Sequence, residues 1–221
     1  MAAAIEDYTV LLGLGPVDGL RGDLAGRAGF NLSNTCLELV QRPELDRARL
    51  SGLVFADDCG ASAELPISNT LQLDLRRQGS ESGGQAERDS ERVESSSLNI
   101  DHVVLRTCDA DACVALFAGS LGIRLALDKT VPEWGGRMLF FRTGGITLEV
   151  IEAKGQESAA DYFWGIALQC KNIEHTATAL IGRGVTLSEV RDGRKPGTRV
   201  ASVKSHTLRI PMLLIEPDSV R

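Results

Sequence analysis

The chain has 221 residues, 43 % hydrophobic, 24 % charged and 5 % aromatic, with a net charge of −6. That length suits one large domain or two small ones. No apolar run reaches the roughly 18 residues of a membrane span, and the acidic balance argues against nucleic acid as a partner. The first residues, Met1-Ala-Ala-Ala-Ile-Glu-Asp, lack a basic segment ahead of an apolar core, so no signal peptide is expected. Five cysteines (Cys36, Cys59, Cys108, Cys113, Cys170) form no C-x-x-C pair, and His102, His175 and His206 lie far apart. They read as reduced thiols, not a disulfide or zinc framework, and the expected location is cytoplasmic.

In chain order, Tyr8, Leu11 and Leu12 ahead of Gly13 predict a first helix, followed by extended segments at 30–40, 52–55 and 73–77. Residues 78–97 (QGSESGGQAERDSERVESSS) carry only Ala86 and Val93 as apolar side chains, too few to offset the entropy of ordering. They predict a polar, flexible linker between an incomplete unit, 1–77, and a complete one, 98–217. The latter opens with a strand at 98–107. Asp109 caps a helix ending near Gly122, and strands follow at 123–127, 137–141 and 146–151. The order then recurs: a strand at 163–169, a helix at 173–181, and strands at 185–190, 199–203 and 210–215. Two βαβββ units in tandem predict an α+β fold whose curved sheets form a cup.

An internal repeat crosses the linker. Phe30–Val40 (FNLSNTCLELV) resembles 141–151 (FRTGGITLEVI) at a separation of 111 residues, and Gly52-Leu-Val-Phe answers Gly165-Ile-Ala-Leu at 113. Leu73, Arg77 and Gly79 fall on Leu187, Arg191 and Gly193 at 114. Tyr8, Leu11 and Leu12 match Phe117 and Leu121. The first copy is thus expected to lack an opening strand and any counterpart of Ile210-Pro-Met-Leu-Leu-Ile. Such a sheet would leave edges bare, which predicts self-association.

The segments Asp101-His102-Val103, Leu121-Gly122, Gly145-Ile-Thr-Leu-Glu149, Gly165-Ile-Ala-Leu and Pro211-Met-Leu-Leu-Ile-Glu216, in that order, resemble the vicinal oxygen chelate superfamily. These are the glyoxalase, bleomycin-resistance and extradiol dioxygenase-like proteins. The resemblance covers about 97–217 well and the first copy in fragments. It implies a cup binding a small-molecule ligand or substrate. In metal-dependent members the ion sits in the cup, and its four ligand places fall here on His102, Glu149, Gly165 and Leu213. A catalytic metal normally keeps about three protein ligands, and only His102 and Glu149 carry donors.

Three readings of that pair stay open: a structural hydrogen-bonded remnant, a general base with its orienter, and an incomplete site for iron, manganese, zinc or nickel. The first two predict a small-molecule-binding protein or metal-independent enzyme with no cofactor. The third predicts a divalent-metal lyase, isomerase or ring-cleaving dioxygenase. Period-2 alternation places His102 with Ile100 and Val104, and Glu149 with Thr147 and Ile151, while Glu152 and Glu216 face away. Phe163 and Ala167 are expected on Gly165's face, Leu213 as an apolar wall, Arg199 at the rim for an anionic group, and Trp134 over the mouth. His206, in Ser205-His206-Thr207, and Asn69, in the similar Ser68-Asn69-Thr70, read as turns.

Overall fold

The structure, a computed structural model, describes residues 1–17, 26–57, 64–79, 98–133, 136–152 and 160–218. The chain opens with helix α1 (Ala2–Leu12), which buries Tyr8, Leu11 and Leu12 and ends where Gly13 turns left-handed. Strands β1 (Arg27–Asn31) and β2 (Cys36–Val40) form an antiparallel hairpin. A separate three-stranded sheet, in the order β3-β5-β4, contains β3 (Gly52–Asp57), β4 (Glu64–Pro66) and β5 (Asp74–Gly79). There β3 runs parallel to β5, and β4 antiparallel to it. Asn69 closes the β4–β5 turn: its amide donates to the Ile67 and Leu73 carbonyls and accepts from the Leu73 N–H.

The second half builds one eight-stranded sheet, in the order β11-β12-β13-β10-β6-β9-β8-β7. Its strands are β6 (Asn99–Thr107), β7 (Arg124–Val131), β8 (Gly136–Arg142), β9 (Thr147–Glu152), β10 (Tyr162–Gln169), β11 (Arg191–Asp192), β12 (Arg199–Val203) and β13 (Met212–Glu216). Two helices cover one face. Helix α2 (Ala110–Cys113) runs into a π-helical stretch, Val114–Ser120, and α3 spans Ile173–Gly182.

Each helix start is satisfied twice. The Asp109 side chain accepts from the Ala112 N–H, and Glu152, at the end of β9, accepts from the Ala110 N–H at 2.8 Å. Likewise Asn172 accepts from the His175 N–H, and Glu216, at the end of β13, from the Ile173 N–H at 2.6 Å. Glu152 and Glu216 therefore act on the helix side of the sheet, away from Glu149. No helix among the described residues is long and apolar enough to cross a membrane.

Buried side chains from both halves join in one core, from Tyr8, Leu11 and Phe30 to Leu105, Phe141, Phe163, Leu180 and Leu214. The halves also share polar contacts. Asn34 in the β1–β2 turn donates to the carbonyls of Ile100 (2.7 Å) and Gly145 (3.1 Å), and accepts from the Ile100 N–H. The Ser33 hydroxyl donates to Asn99 Oδ1.

The topology corrects the repeat in its last block. β5 lies parallel beside β3 as β13 lies parallel beside β10, and β4 flanks β5 antiparallel as β12 flanks β13. Residues 73–79 thus occupy the place of 210–216, not of 187–193, and the first half does have a closing strand pair. In that register Ser68-Asn69-Thr70-Leu71-Gln72-Leu73 matches Ser205-His206-Thr207-Leu208-Arg209-Ile210 without a gap, and Gln72 and Arg209 both have positive φ, 55° and 65°. The offset of 114 arose because the first half has no described counterpart of α3, so matching in order lands on the wrong strand.

Two smaller expectations also change. Residues 185–190 form no strand beyond one bridge, Leu187 to Val203. Gln78 and Gly79, expected in the linker, pair with Ala56 and Asp57 in β5; the remaining linker residues, 80–97, lie outside the described residues.

Candidate site at the His102–Glu149 pair

His102 lies on β6 and Glu149 on the neighbouring parallel strand β9, two residues beyond His102's partner, Thr147. Both side chains are mostly buried, and His102 Nε2 lies 3.5 Å from Glu149 Oε2. His102 Nδ1 lies 2.7 Å from Asp101 Oδ2.

Adjacent residues of a regular strand point to opposite faces, so the Asp101–His102 contact needs an irregularity. The pairing of β6 with β10 supplies it. Leu168 and Ala167 are consecutive, yet they pair with Ile100 and His102, leaving Asp101 as the extra residue of a bulge. The bulge also corrects the expected parity: Ile100 turns into the core, opposite His102, while Val104 stays on the His102 face.

A second register shift sits at Trp164. Phe163 pairs with Leu105 and Gly165 with Val104, so Phe163 and Gly165 face opposite ways. Phe163 is 5 % exposed and belongs to the core, not to the face it was expected to line. Ala167 pairs with both His102 and Leu213, which brings Gly165, Ala167 and half-buried Leu213 onto the face of His102 and Glu149.

Arg199 falls on the opposite side. Its register neighbour Ala201 pairs with core Leu214, and its guanidinium donates to Glu174 of α3 at 2.6 Å. A five-residue strand with an even spacing from Ala201 sends Arg199 to the helix layer, so it is not available at the rim. Trp134 lies outside the described residues. His206 packs its Nδ1 against the Ser205 hydroxyl at 2.8 Å, with φ of 59°, in the turn before β13.

Burial pushes the Glu149 carboxyl above its usual range, against the opposing pull of His102 and Arg194. A neutral imidazole that donates Nδ1–H to Asp101 presents a lone pair at Nε2. Nε2 of His102 thus faces Glu149, and Nδ1 faces Asp101. Asp101 is the member that sequence reasoning missed, because only the bulge makes a neighbour in sequence a partner in space.

At the ligand places among the described residues, the side-chain donors are His102 Nε2 and Glu149 Oε2. Gly165 offers none, and a Cβ there would lie 2.7 Å from the Pro211 carbonyl oxygen, so the backbone leaves little room for a ligating side chain. Leu213 is apolar. Among the described residues no group of three or more His, Cys, Asp or Glu side chains is arranged to hold an ion. The residues do not by themselves fit a complete transition-metal sphere.

Residues 101–201 match the family described as the Glyoxalase/Bleomycin resistance protein/Dioxygenase superfamily. The matched residues lie within the eight-stranded half of the chain, which is similar to that superfamily. Among solved structures, a hypothetical protein from Bacillus halodurans C-125 is 21 % identical and covers 57 % of this chain and 99 % of its own, with a TM-score of 0.48. Methylmalonyl-CoA epimerase from Mycobacterium tuberculosis is 17 % identical, covering 53 % of this chain and 87 % of its own, with a TM-score of 0.45. A Streptomyces coelicolor methylmalonyl-CoA epimerase in complex with 2-nitronate-propionyl-CoA is 20 % identical, with 54 % and 97 % covered and a TM-score of 0.43. No curated protein matches the sequence. The eight-stranded sheet and its two helices form an α+β architecture, and the matched residues run from β6 to β12 of it.

Proposed function

We propose that the glyoxalase-like domain binds a small molecule on the His102 face of its sheet, and that His102 and Glu149 move a proton on it without a complete protein metal site. The carrying observation is the Asp101–His102–Glu149 arrangement, with contacts of 2.7 and 3.5 Å on one buried face. Asp101 orients the ring and holds the proton on Nδ1; Nε2 takes a proton from the bound molecule; ionised Glu149 stabilises the imidazolium that forms. Ala167, Gly165 and Leu213 give the ligand a small, apolar floor. The free cysteines Cys36, Cys108, Cys113 and Cys170 support a reducing, cytoplasmic setting.

The second reading is a divalent-metal lyase, isomerase or ring-cleaving dioxygenase, in which His102 and Glu149 supply two ligands and substrate or solvent supplies the rest. The face shared by one imidazole and one carboxylate favours it. Metal analysis of the full chain purified without chelator, with His102→Ala alongside, separates the two. The first reading expects no stoichiometric metal and no thermal shift with manganese, iron, zinc or nickel. Stoichiometric metal that is lost in His102→Ala overturns it in favour of the second.

A further inference from the structure

The register of the eight-stranded sheet lays two rows of side chains across the face of His102 and Glu149. Arg142 pairs with Thr147, Thr147 with His102, His102 with Ala167, and Ala167 with Leu213. The next row runs Phe140, Glu149, Val104 and Gly165. Their strand neighbours Phe141, Leu148, Val103, Ile166 and Leu214 all belong to the core, so alternation sends both rows to the opposite face.

The first row is cationic at one end and apolar at the other. Arg142 donates from its guanidinium to the Thr147 hydroxyl at 2.6 Å, with Thr147 buried and Arg142 exposed. A guanidinium carries five N–H donors in a planar fork. No other hydrogen bond or ion pair of this one occurs among the described residues. Thr147 thus holds the fork over β9, one strand spacing of about 4.8 Å from the strand of His102. At the far end Ala167 is fully buried and Leu213 half-buried.

An anion held by Arg142 has only a short reach to His102. A carboxylate on the fork lies over β9 and Nε2 belongs to the next strand, so an acidic carbon at Nε2 sits within about two bonds of the carboxylate. A longer spacer would carry the C–H past Nε2 onto Ala167. Gly165 and Ala167 leave room for a small alkyl group, and Leu213 offers it an apolar contact. Arg194 adds a second positive charge, near enough to pull on the Glu149 carboxyl.

We infer that Arg142 sets the substrate class by holding the carboxylate of a short 2-oxo acid, with its C3–H at His102 Nε2 and its alkyl end toward Leu213. This deepens the proton-transfer reading above and rests on it. The C3 proton passes to Nε2, the C–H electron pair forms the C2–C3 double bond of an enolate, and the carbonyl π pair moves onto the C2 oxygen. Return of a proton to C3 restores the acid, so no oxidant or co-reactant is needed. The fork-to-carboxylate fit is what separates the acid from a neutral analogue of the same shape.

The test uses the full chain with 2-oxobutyrate and its neutral amide, 2-oxobutanamide. Calorimetry measures binding, and proton NMR in deuterium oxide follows exchange at C3 above the protein-free rate. Saturable binding and exchange are expected for the acid, with the amide about tenfold weaker or more. Arg142→Met should weaken the acid about tenfold or more and leave the amide unchanged, while Arg142→Lys restores part of the loss. Because Arg142 is exposed, both variants should keep the circular dichroism spectrum. His102→Ala should keep binding and lose exchange. Absence of saturable acid binding overturns the inference, as does acid binding that Arg142→Met leaves unaltered. Exchange that proceeds equally with the amide, or in Arg142→Met, keeps the proton-transfer reading and overturns the carboxylate seat alone. Binding of the acid that depends on Arg142 but brings no exchange supports the carboxylate seat and overturns proton transfer by His102.

Discussion

The two halves solve one packing problem with different completeness. Residues 99–216 close their sheet, with a strand between β9 and β10 and a glutamate capping each covering helix. Residues 2–79 keep the helix, the hairpin and the parallel β3–β5 pair, but split them into two sheets. Where the second half places His102 and Glu149, the first carries an ion-pair chain, Glu38–Arg27–Glu64–Arg76, with contacts of 3.6, 3.8 and 3.2 Å. Glu38 precedes Glu149 by the repeat's offset of 111 residues. A carboxylate with no imidazole beside it has found guanidinium partners, since an unpaired charge in a largely buried place is costly. Among the described residues this supersecondary frame holds without a strand between β2 and β3, and it shares one core with the other half.

The largest effect should come from the ring pairs, Tyr8–Phe30 and Phe117–Phe141. Phe117→Ala removes a fully buried ring and should cost about 3–5 kcal/mol, and Tyr8→Ala a similar amount. Because both rings belong to one core, calorimetry should show a single transition lowered in each variant. Two transitions, only one of them moved, would break the picture of joined halves.

Next come the glycines at which parallel strands approach. A Cβ on Gly52 would meet the Asp74 carbonyl oxygen at 2.0 Å, and one on Gly165 the Pro211 carbonyl oxygen at 2.7 Å. Alanine at each should destabilise by about 1–3 kcal/mol, with Gly52→Ala the worse because its contact is closer. Denaturant titration measures both; the opposite ranking would mean that the three-stranded sheet yields more easily than the eight-stranded one.

Helix caps should matter less. Glu152→Ala and Glu216→Ala each remove one acceptor from a helix N-terminus, at about 1 kcal/mol apiece. Equal losses in chemical denaturation would sharpen the correspondence between the two βαβββ units.

The smallest effect is on pH dependence. Burial raises the folded-state pKa of Glu149 above its ordinary value. The folded protein then holds that proton more tightly than the unfolded chain, so this contribution is fully present below the unfolded pKa and declines as pH rises through the folded one. Glu149→Gln should flatten the stability profile from the ordinary glutamate range upward. An unchanged profile would show that His102 and Arg194 cancel the cost of burial. At the same time burial pushes the Cys113 thiol to about 12, so iodoacetamide near pH 8 should label exposed Cys36 and spare Cys113.

Sequence by itself determined the local elements, because they depend on local chemistry. Asp109 and Asn172 can cap only the helices that begin directly after them. The segments around His102 and Glu149 resemble ligand-bearing strands of one cup, and the parallel register of β6 with β9 puts both residues on one face. Tertiary structure alone decided what hung on non-local register. Bulges at Asp101 and Trp164 depend on which β10 residue opposes which β6 residue, and no composition signal marks them; they turned Ile100 and Phe163 inward and brought Asp101 to His102. Which strand β5 answers was likewise decided by its parallel pairing with β3, because hydrogen bonds between distant segments, not residue spacing, set a sheet's order. Arg199 obeyed the same rule: its charge suggested a rim, but two residues of strand geometry from buried Ala201 sent it to Glu174.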